Sequence, residues 1–379
     1  MPDIITDSDR LAMATHALTA DRFTSGPKVA EFEEAWSQWL GAKHSLFVSS
    51  GSTANFLLVA SIMNWCDIKP GDEILVPACT WTTNISPLIQ LGLKPVFADI
   101  SFDRLSFDLQ EIDYIKSIHP DIKMVFFTHL LGFPSISDAI REAWPYAIHI
   151  DDVCEAQGAK IGEVKVGAES PGATFSFYYG HHMTTIEGGM ISTNNKGLYD
   201  MMRMKRSHGL ARESIRKDYW ESIYPDMNSE FLFITDGYNF RNTEMAAVLG
   251  LSQLSRVDNS INIRSVNYFQ FLEIMDQHRD RFIYPPGLHG SSNFAFPLIA
   301  KQAEARRALA RELGRENIEY RPIIGGNLLR QPAYSQYKIC TRKKIPNADI
   351  LHFNGLYVGN NQTVTESDIG RLEEVLNRL

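Results

Sequence analysis

Residues 175–189 read FSFYYGHHMTTIEGG, and this stretch indicates both the fold and the chemistry of the chain. An apolar run passes Ser176, the histidine pair His181 and His182 follows in a loop, and two glycines precede the next apolar run. Upstream, residues 147–152 read AIHIDD, an apolar run that ends in two carboxylates. Strands that end in polar and acidic residues, joined by glycine turns, are typical of an α/β sheet with a ligand site at its strand ends.

Short apolar runs alternate with helical patterns on both sides of this stretch. Strands are predicted at 45–50, 73–77, 95–99, 124–128, 147–152, 174–179, 189–193 and, more weakly, at 294–298 and 357–358. Helices are predicted at 53–64, 82–91, 138–144, 245–254, 263–275, 302–313 and 366–379. The alternation predicts an α/β fold with a large, mostly parallel sheet covered on both faces. We predict a large cofactor-binding α/β domain at residues 1–260 and a smaller C-terminal α+β domain at 261–379.

The composition is that of a globular protein with no nucleic-acid partner. Hydrophobic residues make up 44% of the chain, and 37 basic against 45 acidic residues give a net charge of −8. The cysteines are scattered, which fits a reducing cytosol; they are Cys66, Cys79, Cys154 and Cys340. The N-terminus does not resemble a signal peptide, and no apolar run is long enough to cross a bilayer. We expect a cytoplasmic protein without a membrane partner.

The layout around His181 is that of a pocket for pyridoxal 5'-phosphate (PLP). In such a pocket a lysine amine normally holds the cofactor as an imine, but histidine stands where that lysine is expected. Because imidazole cannot form a stable imine, we expect PLP or pyridoxamine 5'-phosphate (PMP) to be held noncovalently and to support different chemistry. The alternative that His181 and His182 bind a metal is disfavoured, since adjacent histidines diverge and no third ligand has suitable spacing. We predict no metal site.

Three further features carry candidate groups for this cofactor. Residues 49–55, SSGSTAN, lie between a strand and a helix, where free N–H groups bind phosphate; the same pattern is also a common helix cap. Asp152 lies at the carboxyl end of its strand and would pair with a protonated pyridine nitrogen, or cap a turn. Trp81 follows another strand and would stack on a ring, or belong to the core.

Other polar residues have less definite roles. Glu155 is a second carboxylate shortly after Asp152. Asn239 lies in the sequence GYNFRNT just before a helix, where a turn residue is equally expected. Residues 203–212 are the densest basic stretch, either a solvated helix face or a contact for a diphosphate.

These pieces, in this order, resemble the DegT/DnrJ/EryC1/StrS family of sugar aminotransferases. The resemblance runs from residue 24 to the C-terminus through SGS at 50–52, GDE at 71–73, Asp152, TTIEGG at 184–189 and GYN at 237–239. The SFY at 176–178 followed by His181 and His182, with the stretches 321–332 and 354–361, is similar to the dehydratase branch of that family. The resemblance implies the aspartate-aminotransferase type of fold, fold type I of the PLP enzymes.

The resemblance also implies roles for residues of this chain. His181 would stand at the family's lysine position and act as the catalytic residue. Asp152 would face the pyridine nitrogen, Trp81 would stack on the ring, and Glu155 would lie beside the cofactor.

The phosphate and the substrate would be held by other residues. The phosphate would be bound by Gly51, Ser52, Thr53 and Ser176. Asn239 would reach the phosphate of the neighbouring subunit's cofactor, which implies a homodimer with shared active sites. The candidates for contact with the diphosphate or sugar, chosen for their charge and their position near the motifs, are Arg212, Arg241, Arg321 and Asn327. A related branch carries an iron–sulfur cluster on clustered cysteines; this chain has no cysteine between Cys154 and Cys340, so no cluster is expected.

The activity implied by the resemblance is removal of the C3 hydroxyl from a nucleotide-linked 4-keto-6-deoxyhexose. L-Glutamate would regenerate PMP, and the product would serve deoxysugar biosynthesis, as in lipopolysaccharide O-antigens. GDP as the nucleotide follows from the resemblance alone. Two alternatives stay open: a nucleotide-sugar aminotransferase, opposed by the missing lysine, and a noncatalytic cofactor-binding homologue, opposed by the retained Asp152, Ser176 and Asn239.

Overall fold

The computed structural model describes residues 4–287, 290–340 and 344–379, except for the side chains of residues 338–340. Its helices are α1 (Asp7–Thr19), α2 (Pro27–Leu40), α3 (Gly51–Trp65), α4 (Ser86–Gln90), α5 (Ile112–Ile118), α6 (Asp138–Ala143), α7 (Lys196–Arg206), α8 (Lys217–Ile223), α9 (Glu244–Leu254), α10 (Val257–Asp276), α11 (Ala303–Arg315), α12 (Pro346–Asn354) and α13 (Glu366–Asn377). Its strands are β1 (His44–Val48), β2 (Glu73–Pro77), β3 (Lys94–Ala98), β4 (Ile100–Ser101), β5 (Ser106–Phe107), β6 (Met124–Thr128), β7 (Ile148–Asp152), β8 (Lys160–Ile161), β9 (Val164–Lys165), β10 (Ala173–Ser176), β11 (Gly189–Thr193), β12 (Phe282–Ile283), β13 (Ala295–Ala300), β14 (Tyr320–Pro322) and β15 (Gly355–Gly359).

The chain forms two compact units, each assembled from two separate segments. The first unit is Met1–Pro70 with Gly167–Val257, and the second is Gly71–Val166 with Asp258–Leu379. The domain boundary after residue 260 stays a prediction.

The first unit contains the antiparallel strands β1, β11 and β10, in that order. Their register aligns Val48 with Gly189 and Gly189 with Ser176, so the chain segments that follow β1 and β10 leave the sheet at the same edge. Aromatic side chains of α2 cover one face: the Trp36 ring lies 5.0 Å from Phe175 and 4.9 Å from Phe177, centroid to centroid. Edge-to-face packing of buried rings adds to their area burial.

An ion pair is hydrogen-bonded to the backbone of β1. Glu33 Oε1 accepts from the Phe47 N–H at 2.8 Å, and Arg206 Nη1 donates to the Phe47 carbonyl at 2.8 Å. The two side chains also pair with each other at 2.6 Å and are largely buried. Glu33 and Arg206 therefore satisfy backbone groups of Phe47 that could otherwise template pairing with another strand.

Helix α1 is attached to α9 by a buried polar cluster around Asp9. The Asp9 carboxylate is fully buried and accepts hydrogen bonds from Ser252 Oγ, Gln253 Nε2 and Arg256. Burial alone would raise the pKa of Asp9, but these hydrogen bonds and the Arg256 charge lower it to about 2. The ionised form of Asp9 is therefore the form that the fold stabilises.

Asp9→Asn is expected to lower the free energy of unfolding at pH 7 by about 2 kcal/mol. The pKa of Asp9 is lower in the folded chain (about 2) than its ordinary value of 3.8, so its contribution is present above 3.8 and lost as the pH falls toward 2. Urea unfolding at pH 7, 4 and 2.5 measures this difference. The control is Asp7→Asn, an exposed residue of the same helix turn. Equal losses in both variants, or a loss that does not shrink at low pH, would contradict the prediction.

The second unit contains the parallel strands β7, β6, β2 and β3, in that order. Strand β6 is buried at every residue, as expected for a parallel strand covered on both faces. A second, antiparallel sheet has the order β12-β13-β15-β14. The parallel strands share one direction, so the residues that follow them lie at one edge: Thr128 pairs with Asp152, and Thr80 Oγ1 lies 2.7 Å from Thr128 Oγ1.

Most predicted elements are confirmed, with two corrections. Strands β2, β6 and β11 agree with prediction residue for residue. The helix predicted at 82–91 is wrong: a 3-10 turn at Thr82–Asn84 is followed by the short α4, because Pro87 fits only the first turn of a new helix. The strand predicted at 174–179 ends at Ser176, where the chain turns into a loop.

The helices and the cysteines bear on the expectations of no membrane span and of a reducing cytosol. Among the described residues, no helix has both the length and the apolar character needed to span a membrane. Cys66, Cys79 and Cys154 are free thiols, and the Cys340 side chain lies outside the described residues.

Candidate functional site

The histidine loop, residues 177–188 of the first unit, is closed by hydrogen bonds at its base. The Phe177 N–H donates to the Gly188 carbonyl at 2.9 Å, and the Phe177 carbonyl accepts from the Thr185 N–H and the Thr184 hydroxyl at 3.0 Å each. Ile186 has a left-handed backbone with φ of 70°. These contacts hold the two ends of the loop together, so the loop that carries the two histidines has a fixed position at its base.

Within this loop the two histidines occupy different environments. His182 is buried, with 1% of its surface exposed, whereas His181 is only half-buried. The His181 N–H donates to the Tyr178 carbonyl at 3.0 Å, and its ring lies edge-on to the Tyr178 ring, 6.3 Å between centroids. His181 is therefore the more accessible of the two imidazoles for contact with a ligand.

The start of α3 carries the helix cap that the sequence left open as the alternative to a phosphate site. Ser50 and Thr53 form a reciprocal cap: the Thr53 N–H donates to Ser50 Oγ at 3.1 Å, and the Ser50 N–H donates to Thr53 Oγ1 at 3.0 Å. Ser52 is exposed and Gly51 is buried. A Cβ on Gly189 would lie 2.3 Å from the Ser50 carbonyl oxygen, so only glycine lets β11 pass this close to the helix start.

The sheet register brings Ser176 toward this helix start. Ser176 pairs with Gly189, and Gly189 pairs with Val48, after which the chain runs through Ser50 into α3. Ser176 is buried, and its Oγ accepts from the Tyr178 N–H at 3.3 Å. The hydroxyls predicted to hold a phosphate therefore lie at one edge of the first unit's strands, together with the base of the histidine loop.

The remaining first-unit candidates already have side-chain partners. Asn239 is exposed, and its Oδ1 accepts from Arg241 Nε at 3.2 Å. Arg212 pairs with the Glu230 carboxylate at 3.1 Å at an exposed position. A substrate contact from either arginine would have to exchange one of these surface partners, and such exposed pairs are weak.

In the second unit, Asp152 lies at the edge where the parallel strands end. It is buried, and its Oδ1 accepts from the Cys154 N–H at 2.9 Å. Asn84 Nδ2 donates at 2.8 Å to both Thr80 Oγ1 and Thr128 Oγ1, which ties together the ends of the neighbouring strands. A buried carboxylate at the carboxyl end of a parallel strand is suited to pair with a ligand cation.

Glu155 is a second carboxyl at this edge, and its protonation is shifted. Its Oε2 accepts from the Leu131 N–H at 2.9 Å. Burial raises the pKa of Glu155 to about 7; the Leu131 hydrogen bond opposes this rise, and the charge of Asp152 adds to it. Near neutral pH this carboxyl therefore exchanges between its protonated and ionised forms.

Replacement of Glu155 by glutamine is expected to stabilise the cofactor-free chain at high pH. The pKa of Glu155 is higher in the folded chain (about 7) than its ordinary value of 4.5, so its contribution is fully present below 4.5 and lost as the pH rises through 7. Relative to the original chain, Glu155→Gln should gain on the order of 2 to 3 kcal/mol of unfolding free energy between pH 5 and pH 8. Urea unfolding at both pH values measures the gain. Glu163→Gln, at an exposed glutamate, is the control; a pH-independent difference for Glu155→Gln would refute the shift.

The other second-unit candidates are Trp81, Asn327 and Arg321. Trp81 is 53% exposed and follows Cys79 and Thr80 at the end of β2. Asn327 forms a bridge with Cys79, but its buried amide is engaged internally, with Nδ2 donating to Asp349 at 2.7 Å and Oδ1 accepting from the Leu329 N–H at 3.0 Å. Arg321 is exposed and pairs with Glu319 at 2.9 Å. Asn327 thus brings its loop to the strand ends, and its predicted contact with the substrate stays a prediction.

The donor groups of the chain fit a phosphorylated pyridine. At the capped start of α3, the exposed Ser52 is suited to contact a phosphate. Asp152 suits a protonated ring nitrogen, and the exposed ring of Trp81 suits stacking. The loop carries no lysine between Ser176 and Gly189, so no amine is present there to bind an aldehyde covalently.

Some of these features gave no signal in the sequence. The close approach of Gly189 to Ser50 depends on strand pairing between distant segments, although a Gly-Gly pair hints at it. The hydrogen bond from Leu131 to Glu155 depends on a left-handed leucine with φ of 52°, which has no local sequence signature. The hydrogen bond from Asn242 Nδ2 to the Val48 carbonyl, at 3.0 Å, likewise has no signal in the sequence.

Comparisons with known proteins give matches to one family over nearly the whole chain. The family model of the DegT/DnrJ/EryC1/StrS aminotransferases matches residues 5–377. The GDP-4-keto-6-deoxy-D-mannose 3-dehydratase of Escherichia coli O55:H7 is 33% identical over 95% of this chain and 94% of its own length.

Solved structures give the same result. A histidine-to-asparagine variant of GDP-4-keto-6-deoxymannose-3-dehydratase with bound GDP-perosamine has a TM-score of 0.91 at 32% identity, covering 99% of this chain and 98% of that one. The same enzyme with a trapped PLP-glutamate geminal diamine has a TM-score of 0.90 at 31% identity, with coverage of 99% and 98%. The predicted aminotransferase-type α/β fold is confirmed.

Proposed function

The chain belongs to the DegT/DnrJ/EryC1/StrS aminotransferase family, and from that premise we propose that it is a PLP/PMP-dependent nucleotide-sugar 3-dehydratase. It removes the C3 hydroxyl from a nucleotide-linked 4-keto-6-deoxyhexose, with GDP as the nucleotide and L-glutamate as the amino donor. The E. coli relative carries this activity in its name, and solved relatives hold GDP-perosamine and a PLP-glutamate adduct. The reaction yields a 3-deoxy ketosugar, ammonia and 2-oxoglutarate, so the atoms balance and glutamate is the reductant.

One observation carries this proposal over the aminotransferase alternative. The loop that begins at Phe177 and ends at Gly188 contains His181 and His182 and no lysine. A lysine at this point would recapture the cofactor aldehyde and favour transfer of the amine to the sugar. A histidine can move protons but cannot hold the aldehyde, which favours loss of the hydroxyl.

The residues of the chain have the following roles in the proposed mechanism. When bound, the cofactor supplies an amine that joins the C4 ketone of the sugar and a ring that accepts electrons. Asp152 keeps the ring nitrogen protonated, and Trp81 covers a face of the ring. The start of α3, through Gly51, Ser52 and Thr53, binds the phosphate.

His181 acts twice in this mechanism. Its imidazole removes the proton from the cofactor carbon that bears the amine, and the imidazolium then donates that proton to the departing C3 hydroxyl. Because imidazole has an unperturbed pKa near 6.5, one residue can serve as base and then as acid at neutral pH. Ser176 completes the phosphate contacts, and Glu155 lies beside the cofactor. Arg212, Arg241, Arg321 and Asn327 remain candidates for the diphosphate and sugar.

We further propose a homodimer with shared active sites. Asn239 is exposed and would contact the cofactor phosphate of the neighbouring subunit. The preceding segment of the first unit exposes large apolar side chains, including Phe231 at 63% and Phe233 at 57%, which favours burial against a second copy. We place the reaction in the cytoplasm, as the scattered cysteines indicate.

Mass spectrometry of the complete reaction tests the function. The purified chain is incubated with PLP, L-glutamate and a panel of GDP-, dTDP- and CDP-4-keto-6-deoxyhexoses. Loss of the C3 oxygen from the GDP sugar, with ammonia and 2-oxoglutarate in equal amounts, is the expected result. A product that keeps the hydroxyl and gains an amine would make the chain an aminotransferase. Bound cofactor with no change in any sugar would favour a noncatalytic homologue.

A further inference from the structure

The carboxyl of Glu155 is held by a turn with an unfavourable backbone. Leu131 donates its N–H to Glu155 Oε2 at 2.9 Å, and Leu131 has φ of 52°, followed by Gly132 with φ of 95°. A left-handed conformation is unfavourable for a leucine because it brings Cβ close to the following carbonyl oxygen, so surrounding contacts must hold it in place.

A second segment of the same unit supplies those contacts. The Ser291 hydroxyl and the Ser292 N–H donate to the Gly132 carbonyl at 2.9 and 3.0 Å, and the Phe294 N–H donates to the Leu131 carbonyl at 3.1 Å. A Cβ on Gly132 would lie 2.7 Å from the Asn293 nitrogen, so the two backbones are in close contact. The conformation of residues 291–294 therefore fixes the direction of the Leu131 N–H.

Asn293 is the residue on which this segment turns. It is fully buried and itself left-handed, with φ of 51°. Its Nδ2 donates to Ser265 Oγ at 3.1 Å and to the Ser291 carbonyl at 3.2 Å, and its carbonyl accepts from Asn360 Nδ2 at 2.9 Å. Asparagine tolerates this backbone better than most residues, and its amide pins both α10 and the Ser291 turn.

We infer that Asn293 is a positioning residue for Glu155: its turn aims the Leu131 N–H at Oε2 and so fixes the orientation of this carboxyl. Nothing in the sequence connects these residues: Leu131 and Glu155 lie on one segment of the second unit, and Asn293 lies on the other. The inference rests on the proposed function only in that Glu155 lies beside the cofactor.

The charged and titratable groups around Glu155 predict how its pKa should change when the turn at Asn293 is disturbed. Asp152, Cys79, Cys154 and Tyr357 all interact with it electrostatically, and none of them is a cation. The Leu131 N–H is the contact that favours its ionised form. If this N–H is no longer aimed at Oε2, the pKa of Glu155 should rise further.

The test is a double-mutant cycle read by the absorbance of bound PLP as a function of pH, without sugar. Asn293→Gly keeps the left-handed backbone accessible and removes the hydrogen bonds of the Asn293 side-chain amide. The pH midpoint of the absorbance change, which we assign to Glu155, should then rise by about one pH unit. The shift should vanish in the Glu155→Gln background. The matched control is Asn317→Gly, the same change at an exposed asparagine with φ of 54°, which should leave the midpoint unchanged.

A second variant and a second measurement keep the inference testable if Asn293→Gly does not fold. Ser291→Ala removes only the hydroxyl bond to Gly132 and should give a smaller shift in the same direction. In the cofactor-free chain, the pH at which Glu155 loses its stability contribution should shift upward as well. The inference would be overturned if Asn293→Gly shifted the absorbance midpoint equally with and without Glu155. It would also be overturned if a folded Asn293→Gly variant showed no shift. Because no sugar is needed, failure to dehydrate would refute the proposed reaction and leave this result intact.

Discussion

His181→Asn is expected to lose dehydration activity by on the order of 10³-fold while retaining bound PLP. The loss is large because, in the proposed mechanism, His181 serves both as the base at the cofactor carbon and as the acid at the leaving hydroxyl. Asparagine is close to histidine in size and hydrogen bonding but does not titrate. Cofactor binding should persist, since the phosphate and ring contacts are assigned to other residues in the proposed mechanism. Single-turnover assays of sugar conversion and absorbance titration with PLP measure the two quantities separately.

Two matched variants control this experiment. His182→Asn makes the same change at the adjacent, buried histidine, and His208→Asn makes it at an exposed one with φ of 65°, which asparagine accepts. His208→Asn should keep its activity, and His182→Asn should lose less than His181→Asn if it folds. A folded His181→Asn that converts sugar at near the original rate would show that another group moves the proton. If only His182→Asn is inactive, the roles of the two histidines must be exchanged.

His181→Lys should change the way the cofactor is held, from noncovalent to covalent. A lysine amine at this position can attack the PLP aldehyde, so borohydride should fix about one equivalent of cofactor per chain, against almost none in the original chain. The same variant should lose dehydration, because the amine competes for the aldehyde. Intact-protein and peptide mass spectrometry locate the adduct.

The control for covalent capture is a lysine placed elsewhere in the first unit. His208→Lys adds an amine at an exposed position and should incorporate little cofactor under the same conditions. Capture by both variants would mean nonspecific modification of surface lysines. A folded His181→Lys that captures nothing would mean that residue 181 does not face the aldehyde, and the proposed active site would need another residue there.

Much of the fold could be predicted because buried parallel strands have a simple sequence pattern. Met124–Thr128 is apolar at nearly every position, and its observed bounds match the prediction. The helix predicted at 82–91 is wrong although its signal is in the sequence, because Pro87 fits only the first turn of a new helix and so separates a 3-10 turn from the short α4. The order of chemical groups along the chain was equally readable: Asp152 at a strand end and His181 in a loop both lie where the pattern predicts.

The finer geometry of the site could not be predicted, since it depends on contacts between distant segments. The shifted pKa of Glu155 requires burial and the Leu131 N–H, and the Leu131 backbone is held by residues 291–294. The exposed pair of Arg212 with Glu230 likewise has no signal in the sequence. Local patterns specify which residue types are present, whereas long-range packing sets their ionisation and direction.

The closed base of the histidine loop has a consequence for engineering. Phe177 and Gly188 are joined by a backbone hydrogen bond, and Gly189 packs directly on the helix start at Ser50. This closure is made mostly by backbone groups, and the one loop side chain that reaches the Phe177 carbonyl is the Thr184 hydroxyl. Residues 178–183 should therefore be exchangeable as a block if Thr184 and Thr185 are kept, so that a lysine-bearing loop could be transplanted to favour amination without changing the helix start that is proposed to bind the phosphate.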